Sequence, residues 1–111
     1  MQPHEVPDHY FPAVRARDIE RFMALFAQDA VVILPDGTAV AGAPAIRAME
    51  ELVFATGAPR PEPQSVVVGA QSVAVEIDVH LPNGVVMKAA NFFQLNAAGL
   101  IQRLSVYRKT G

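Results

Sequence analysis

The sequence contains no cysteine. Disulfides, thiolate nucleophiles and cysteine-ligated zinc are therefore excluded from its chemistry. Charge is also sparse, at 18% of residues against roughly 25% in ordinary globular chains. The net charge is −2, and the nine Lys and Arg residues are scattered rather than clustered. That excludes the basic surface needed to bind a phosphate backbone, so no nucleic-acid partner is expected. No apolar run approaches the ~20 residues of a membrane span, so no membrane partner is expected either. The opening residues MQPHEVPDHYFP show neither the basic nor the apolar region of a secretory signal, which makes a soluble cytoplasmic protein the default.

What is present is apolar. Half of the 111 residues are hydrophobic (51%), enough for a single domain over 1–111 that buries a core plus a lined cavity, an oligomer face, or both. Val14, Phe22, Leu25 and Phe26 recur at helical spacings in residues 6–28. Asp18 is placed to cap a helix from Ile19 to Ala27. Pro12 is tolerated if the preceding helix starts near His9 or Tyr10, with Asp8 or His9 as its cap. Ala30 to Leu34 reads as a strand. Pro35-Asp36-Gly37 then suits a three-residue bulged hairpin leading to Thr38–Ala41. Pro44 suits the first turn of a helix reaching about Ala55, with Ile46, Met49 and Val53 as its apolar stripe and Gly57 as its stop. Residues 57–64 (GAPRPEPQ) read as a proline-rich surface loop. Strands follow at Ser65–Leu81 (interrupted near Gly69), Val85–Leu95 and Leu100–Arg108. The order predicts an α+β domain, with helices on one face of a curved sheet.

A three-residue bulged turn at Pro82-Asn83-Gly84 sets Asp78 opposite Lys88 and Val75 opposite Asn91. Val73, Val75, Ile77, Val79, Met87, Ala89, Asn91 and Phe93 then share the inner face, joined by Leu104 and Val106. Glu76, Asp78, His80 and Lys88 share the outer face, where Asp78 and Lys88 pair favourably. A four-residue turn would reverse this and bring Glu76 and Asp78 inside. On the first register Asn91 is the polar exception on an apolar face. Either it bonds neighbouring backbone or water, or it faces a ligand.

Several segments together resemble a known group. They are Asp18-Ile19-Glu20, residues 25–32 (LFAQDAVV), Pro35 with Gly37, Gly42 with Ala45-Ile46-Arg47, and Gly99-Leu100-Ile101 before Tyr107. In this order the chain resembles the SnoaL-like and ketosteroid-isomerase-like families of the nuclear transport factor 2-like superfamily. The resemblance implies a cone in which N-terminal helices pack on a curved mixed or antiparallel sheet around an apolar pocket. The fold hosts isomerases, cyclases and non-catalytic binders alike. In the isomerases an Asp base works with an oxyanion hole of a Tyr and a protonated Asp. By resemblance the oxyanion Tyr falls on Tyr10 and the protonated Asp on Asn91, whose amide can also donate a hydrogen bond. The base falls on Leu34, which cannot move a proton.

Glu50 is the carboxyl that could replace it. It shares a helix with Ile46 and Val53, at a position where the resembling isomerases carry a Tyr bonded to the oxyanion Tyr. Inside the stripe its pKa would be raised by desolvation, which suits an acid or base; at the stripe's edge it would point to solvent. Tyr10, Asn91 and Glu50 are thus the candidate catalytic groups. Val14, Phe22, Phe26, Leu34, Met49, Val75, Met87, Phe93, Leu104 and Val106 are the candidate pocket lining. The alternating Glu76, Asp78 and His80 are assigned to the outer surface rather than to a metal, and no cofactor is expected. The expected ligand is a small apolar molecule carrying an oxygen, acted on by an isomerase- or cyclase-type enzyme; the competing reading is a non-catalytic binder or dimeric interaction module. Val86, Ala90, Phe92, Ile101 and Tyr107 on the outer face suit a sheet-to-sheet homodimer.

Overall fold

The computed structural model describes residues 1–57 and 59–109. A short 3₁₀ turn at Pro3–Glu5 leads into α1 (Val6–Ala16) and α2 (Ile19–Met23). Strands β1 (Phe26–Ile33) and β2 (Ala39–Ala41) form a hairpin, and α3 (Ala43–Thr56) follows. Strands β3 (Arg60–Val68), β4 (Ser72–His80), β5 (Val86–Leu95) and β6 (Ile101–Arg108) then run as an antiparallel meander. The six strands form one sheet in the order β2-β1-β6-β5-β4-β3, in which only the β1–β6 pair is parallel. The fold is α+β with N-terminal helices on a six-stranded mixed sheet, as the sequence implied.

Each helix is held by an identifiable stripe. Val6, Tyr10, Ala13 and Val14 lie at helical spacing and are buried, as is Phe11. This burial offsets Pro12, which sits inside α1 and removes one of its hydrogen bonds. The helix begins at Val6, earlier than Pro12 had implied, because Pro7 fits its first turn and the 3₁₀ turn feeds it. The Asp18 carboxylate accepts from the Arg21 N–H at 3.2 Å, the cap predicted for α2. That helix stops at Met23, not Ala27. Phe26 pairs with Ile101 in the sheet, so Phe22 and Phe26 meet across a helix–strand junction, with ring centroids 5.0 Å apart.

The proline-rich segment 57–64 departs most from expectation. Arg60 onward is the edge strand β3, pairing Pro61 with Val79 and Pro63 with Ile77. Proline is tolerated there because an edge strand leaves one row of backbone groups unpaired. The Ser65–Leu81 segment is two strands, turned by residues 69–71, with the Gly69 N–H donating to the Ser72 carbonyl. Gly57 ends α3 with a right-handed φ of −105° rather than the left-handed stop anticipated. A Cβ there would lie 3.2 Å from the Pro59 ring, so close approach is what favours glycine.

The β4–β5 register is the one predicted. Asp78 opposes Lys88, Val75 opposes Asn91, and the turn closes by Leu81 N–H to the Val85 carbonyl at 2.9 Å. Val73, Val75, Ile77, Asn91 and Phe93 are consequently buried on the inner face, while Glu76 and His80 are exposed outside.

Candidate functional site

Helices α1 and α3 cover the inner face of the sheet, and between them a cavity of about 240 Å³ remains. Phe11 and Val14 of α1, Val53 of α3, Ile77 and Val79 of β4, Met87 and Ala89 of β5 and Val106 of β6 give it apolar walls, with Pro35, Pro59 and Pro61 around them. Four polar side chains also line it: Tyr10, Glu50, Asn91 and Arg108. Three other clefts are larger, about 360, 390 and 330 Å³. The first is lined by the N-terminal residues and the turns around Ala70 and Ala98, the second by surface residues including Glu76 and Lys88, and the third by residues around the Leu81–Val85 turn. None of them encloses a buried polar side chain, whereas the 240 Å³ cavity holds Glu50 and Asn91, 8% and 7% exposed.

The Tyr10 ring is fixed by edge-on contacts with Phe11 and Phe93 at 5.0 and 4.9 Å, and it tilts against Phe22 at 5.4 Å. Glu50 lies one turn beyond Ile46 on α3 and is drawn inward with it. Asn91 is set by the β5 alternation between buried neighbours Phe93 and Val75. Among the described residues the Tyr10 hydroxyl, Glu50 carboxyl and Asn91 amide make no hydrogen bond to protein, yet no fully sealed polar side-chain atom lacks a partner. All three polar ends therefore open onto the cavity, where a ligand or water meets them.

Burial raises the Glu50 pKa to about 7. Near neutrality it is a mixture of acid and carboxylate, the condition for a group that both gives and takes a proton. The Tyr10 phenol is pushed well above its usual value, first by burial and then by the Glu50 charge. It therefore stays protonated and remains a donor.

Of the predicted lining, Val14, Met87 and Val106 are in the cavity wall. Phe22, Phe26, Val75, Phe93 and Leu104 are instead packed in the core, and Leu34 and Met49 lie half-buried against it. The reason is the aromatic floor: Phe22 packs on Tyr10, Phe26 and Phe54 and fills the base of the cone. Sequence reading missed the mouth. Arg108 could have been found by alternation, two residues beyond Val106 on β6, but Pro59 and Pro61 were read as surface loop.

Leu34, which the family resemblance set at the isomerase base, is half-buried against the core and carries no ionisable group. On the outer face, Asp78 accepts from Lys88 at 2.6 Å and His80 approaches Glu62 at 3.4 Å. Among the described residues no group of three His, Cys, Asp or Glu side chains is placed to hold a metal ion. No helix among them is long and apolar enough to cross a membrane.

Comparison with solved structures places this geometry among known folds. A ketosteroid isomerase candidate from Kribbella flavida DSM 17836 superposes with a TM-score of 0.89 at 20% identity, covering 99% of this chain and 79% of that one. The epoxide hydrolase/cyclase-like enzyme SalBIII, of pyran ring formation in the polyether salinomycin, gives 0.85 at 22% identity, covering 97% and 91%. A candidate polyketide cyclase (protein SMa1630) from Sinorhizobium meliloti gives 0.81 at 25% identity, covering 96% and 99%. No curated protein matches the chain significantly. The family model of the SnoaL-like domain matches residues 8–104, nearly the whole length, and the chain therefore belongs to the SnoaL-like family.

Proposed function

We propose that this SnoaL-like protein binds a small apolar molecule bearing an oxygen and catalyses proton transfer on it, as an isomerase- or cyclase-type enzyme. The observation that carries this reading is the meeting of Tyr10, Glu50 and Asn91 in one apolar cavity with none of their polar ends used by the protein. Tyr10 and Asn91 donate to the ligand oxygen, where charge develops as a proton leaves the neighbouring carbon. Glu50 takes that proton and returns it elsewhere, its burial having moved its pKa to about 7. Glu50 thus supplies the carboxyl that Leu34 does not.

The test uses a simple ketone in D₂O. Proton NMR should show protein-dependent deuterium incorporation at the α-carbon, abolished by Glu50→Gln while ketone binding persists. Binding without exchange in the unaltered protein would exclude the proton-transfer role and leave a non-catalytic binder. That second reading is favoured by one observation: among the described residues no other carboxyl lines the cavity to orient or relay for Glu50. A crystal structure with a co-purifying molecule tests the binding roles separately. Contacts to apolar side chains alone would remove Tyr10 and Asn91 from the proposal.

The reading includes a homodimer. Phe92, Tyr107 and Val86 are exposed on the outer face of the sheet (38%, 61% and 44%), a surface that a second copy of the chain would cover.

A further inference from the structure

The cavity has two ionisable charges of opposite sign, and they sit at different depths. Glu50 is 8% exposed at the inner end, whereas Arg108, the last residue of β6, is exposed at the opening. Arg108 shares its strand face with the wall residue Val106 and pairs in the sheet with Ala89, another wall residue. Its Nη1 lies 3.7 Å from the Met87 thioether sulfur, so its stem runs over the apolar rim of the cavity. Among the described residues it makes no ion pair. Arg15, which reaches the wall residue Pro61, is committed to that residue's carbonyl at 3.1 Å. Glu50 is no partner for Arg108 either, since no ion pair joins the two.

A guanidinium over an apolar cavity, with no carboxylate among the described residues to satisfy it, presents a planar fork of donors to whatever occupies the opening. We infer that Arg108 selects ligands with an oxyanion head group, a carboxylate or phosphate ester, held at the mouth while the apolar body fills the cavity. The proposal rests on the ligand-binding reading above and adds the ligand's charge, its polarity along the cavity axis and an upper size. At about 240 Å³ the cavity is smaller than the roughly 300–1,000 Å³ of drug-sized sites, so the body is a short chain or a single ring.

Calorimetric titration at pH 6, where Glu50 is mostly protonated, with octanoate, octyl phosphate and octanol separates the terms. All three share an apolar body, and only the first two carry an oxyanion. At least one of them should bind roughly five- to tenfold tighter than octanol, an advantage suited to a charge-assisted contact at an exposed rim. In Arg108→Gln the ratio of anion to octanol affinity should fall to about one, and Arg108→Lys should restore part of it. Whichever anion has the larger advantage identifies the head group. Equal binding of all three, or an advantage that survives Arg108→Gln, would overturn the assignment while leaving the pocket intact. Binding of none of them would overturn the pocket reading and this inference with it.

Discussion

Glu50 is where burial and chemistry conflict most openly. A carboxyl whose pKa rises from 4.5 in the unfolded chain to about 7 in the folded one binds protons more tightly when folded. Folding is then linked to proton uptake between those values, and stability contributed by the neutral acid is lost as pH rises through that window. The full gap corresponds to about 3 kcal/mol, absent below pH 4.5 and complete above 7. Urea unfolding of the unaltered protein and Glu50→Gln at pH 4 and pH 8 should therefore diverge, with the Gln variant more stable by about 3 kcal/mol at the higher pH only. Parallel curves at both would mean that Glu50 is solvated. The sequence left Glu50 open between cavity and solvent because a helical stripe has edges, and only packing of α3 against the sheet sets which side of the edge it occupies. Asn91 was more legible, since strand alternation admits two faces and the Asp78–Lys88 pair chose between them.

Among the elements, those with local chemical signals were readable and those depending on distant partners were not. The Asp18 cap, the Pro35–Gly37 hairpin and the register across Pro82–Gly84 follow from residues adjacent in sequence. The truncation of α2 and the strand character of β3 arise from pairing with Ile101 and with β4, which no local signal announces. The junction into α3 separates backbone from packing effects cleanly. Gly42 has φ 89° and ψ 148°, yet a Cβ there would come no closer than 3.9 Å to any neighbour. Gly42→Ala should thus cost about 1–3 kcal/mol through backbone conformation alone, with the cavity undisturbed. Chemical denaturation reads the loss. Unchanged stability would mean that the chain turns into α3 by another route.

For the whole molecule, a 51% hydrophobic composition called for a core plus a lined cavity, an oligomer face, or both, and the core and the cavity are present in the chain itself. The cavity wall differs from the predicted lining: Phe22, Phe26, Val75, Phe93 and Leu104 pack into the core, while Ile77, Val79 and Ala89, placed on the inner face but not in the lining, form part of the wall. Packing divides these residues into a floor of aromatic rings and a smaller wall. The outer face carries Val86, Phe92 and Tyr107 as exposed apolar surface. Sedimentation equilibrium should report a mass about twice the 11.9 kDa of the chain, and Phe92→Asp should return it to monomer without altering helix content. A monomer before substitution would remove the dimer from the account.

The central claim is that Glu50 faces a ligand from within an apolar cavity. Carbon-13 NMR titration of its carboxyl, with and without saturating 2-octanone, tests this most directly. The account predicts a midpoint of about 7 in the free protein, raised further by the ketone, whose apolar body excludes water from the carboxyl and so disfavours its charged form. An ordinary midpoint near 4.5, unmoved by the ketone, would contradict it.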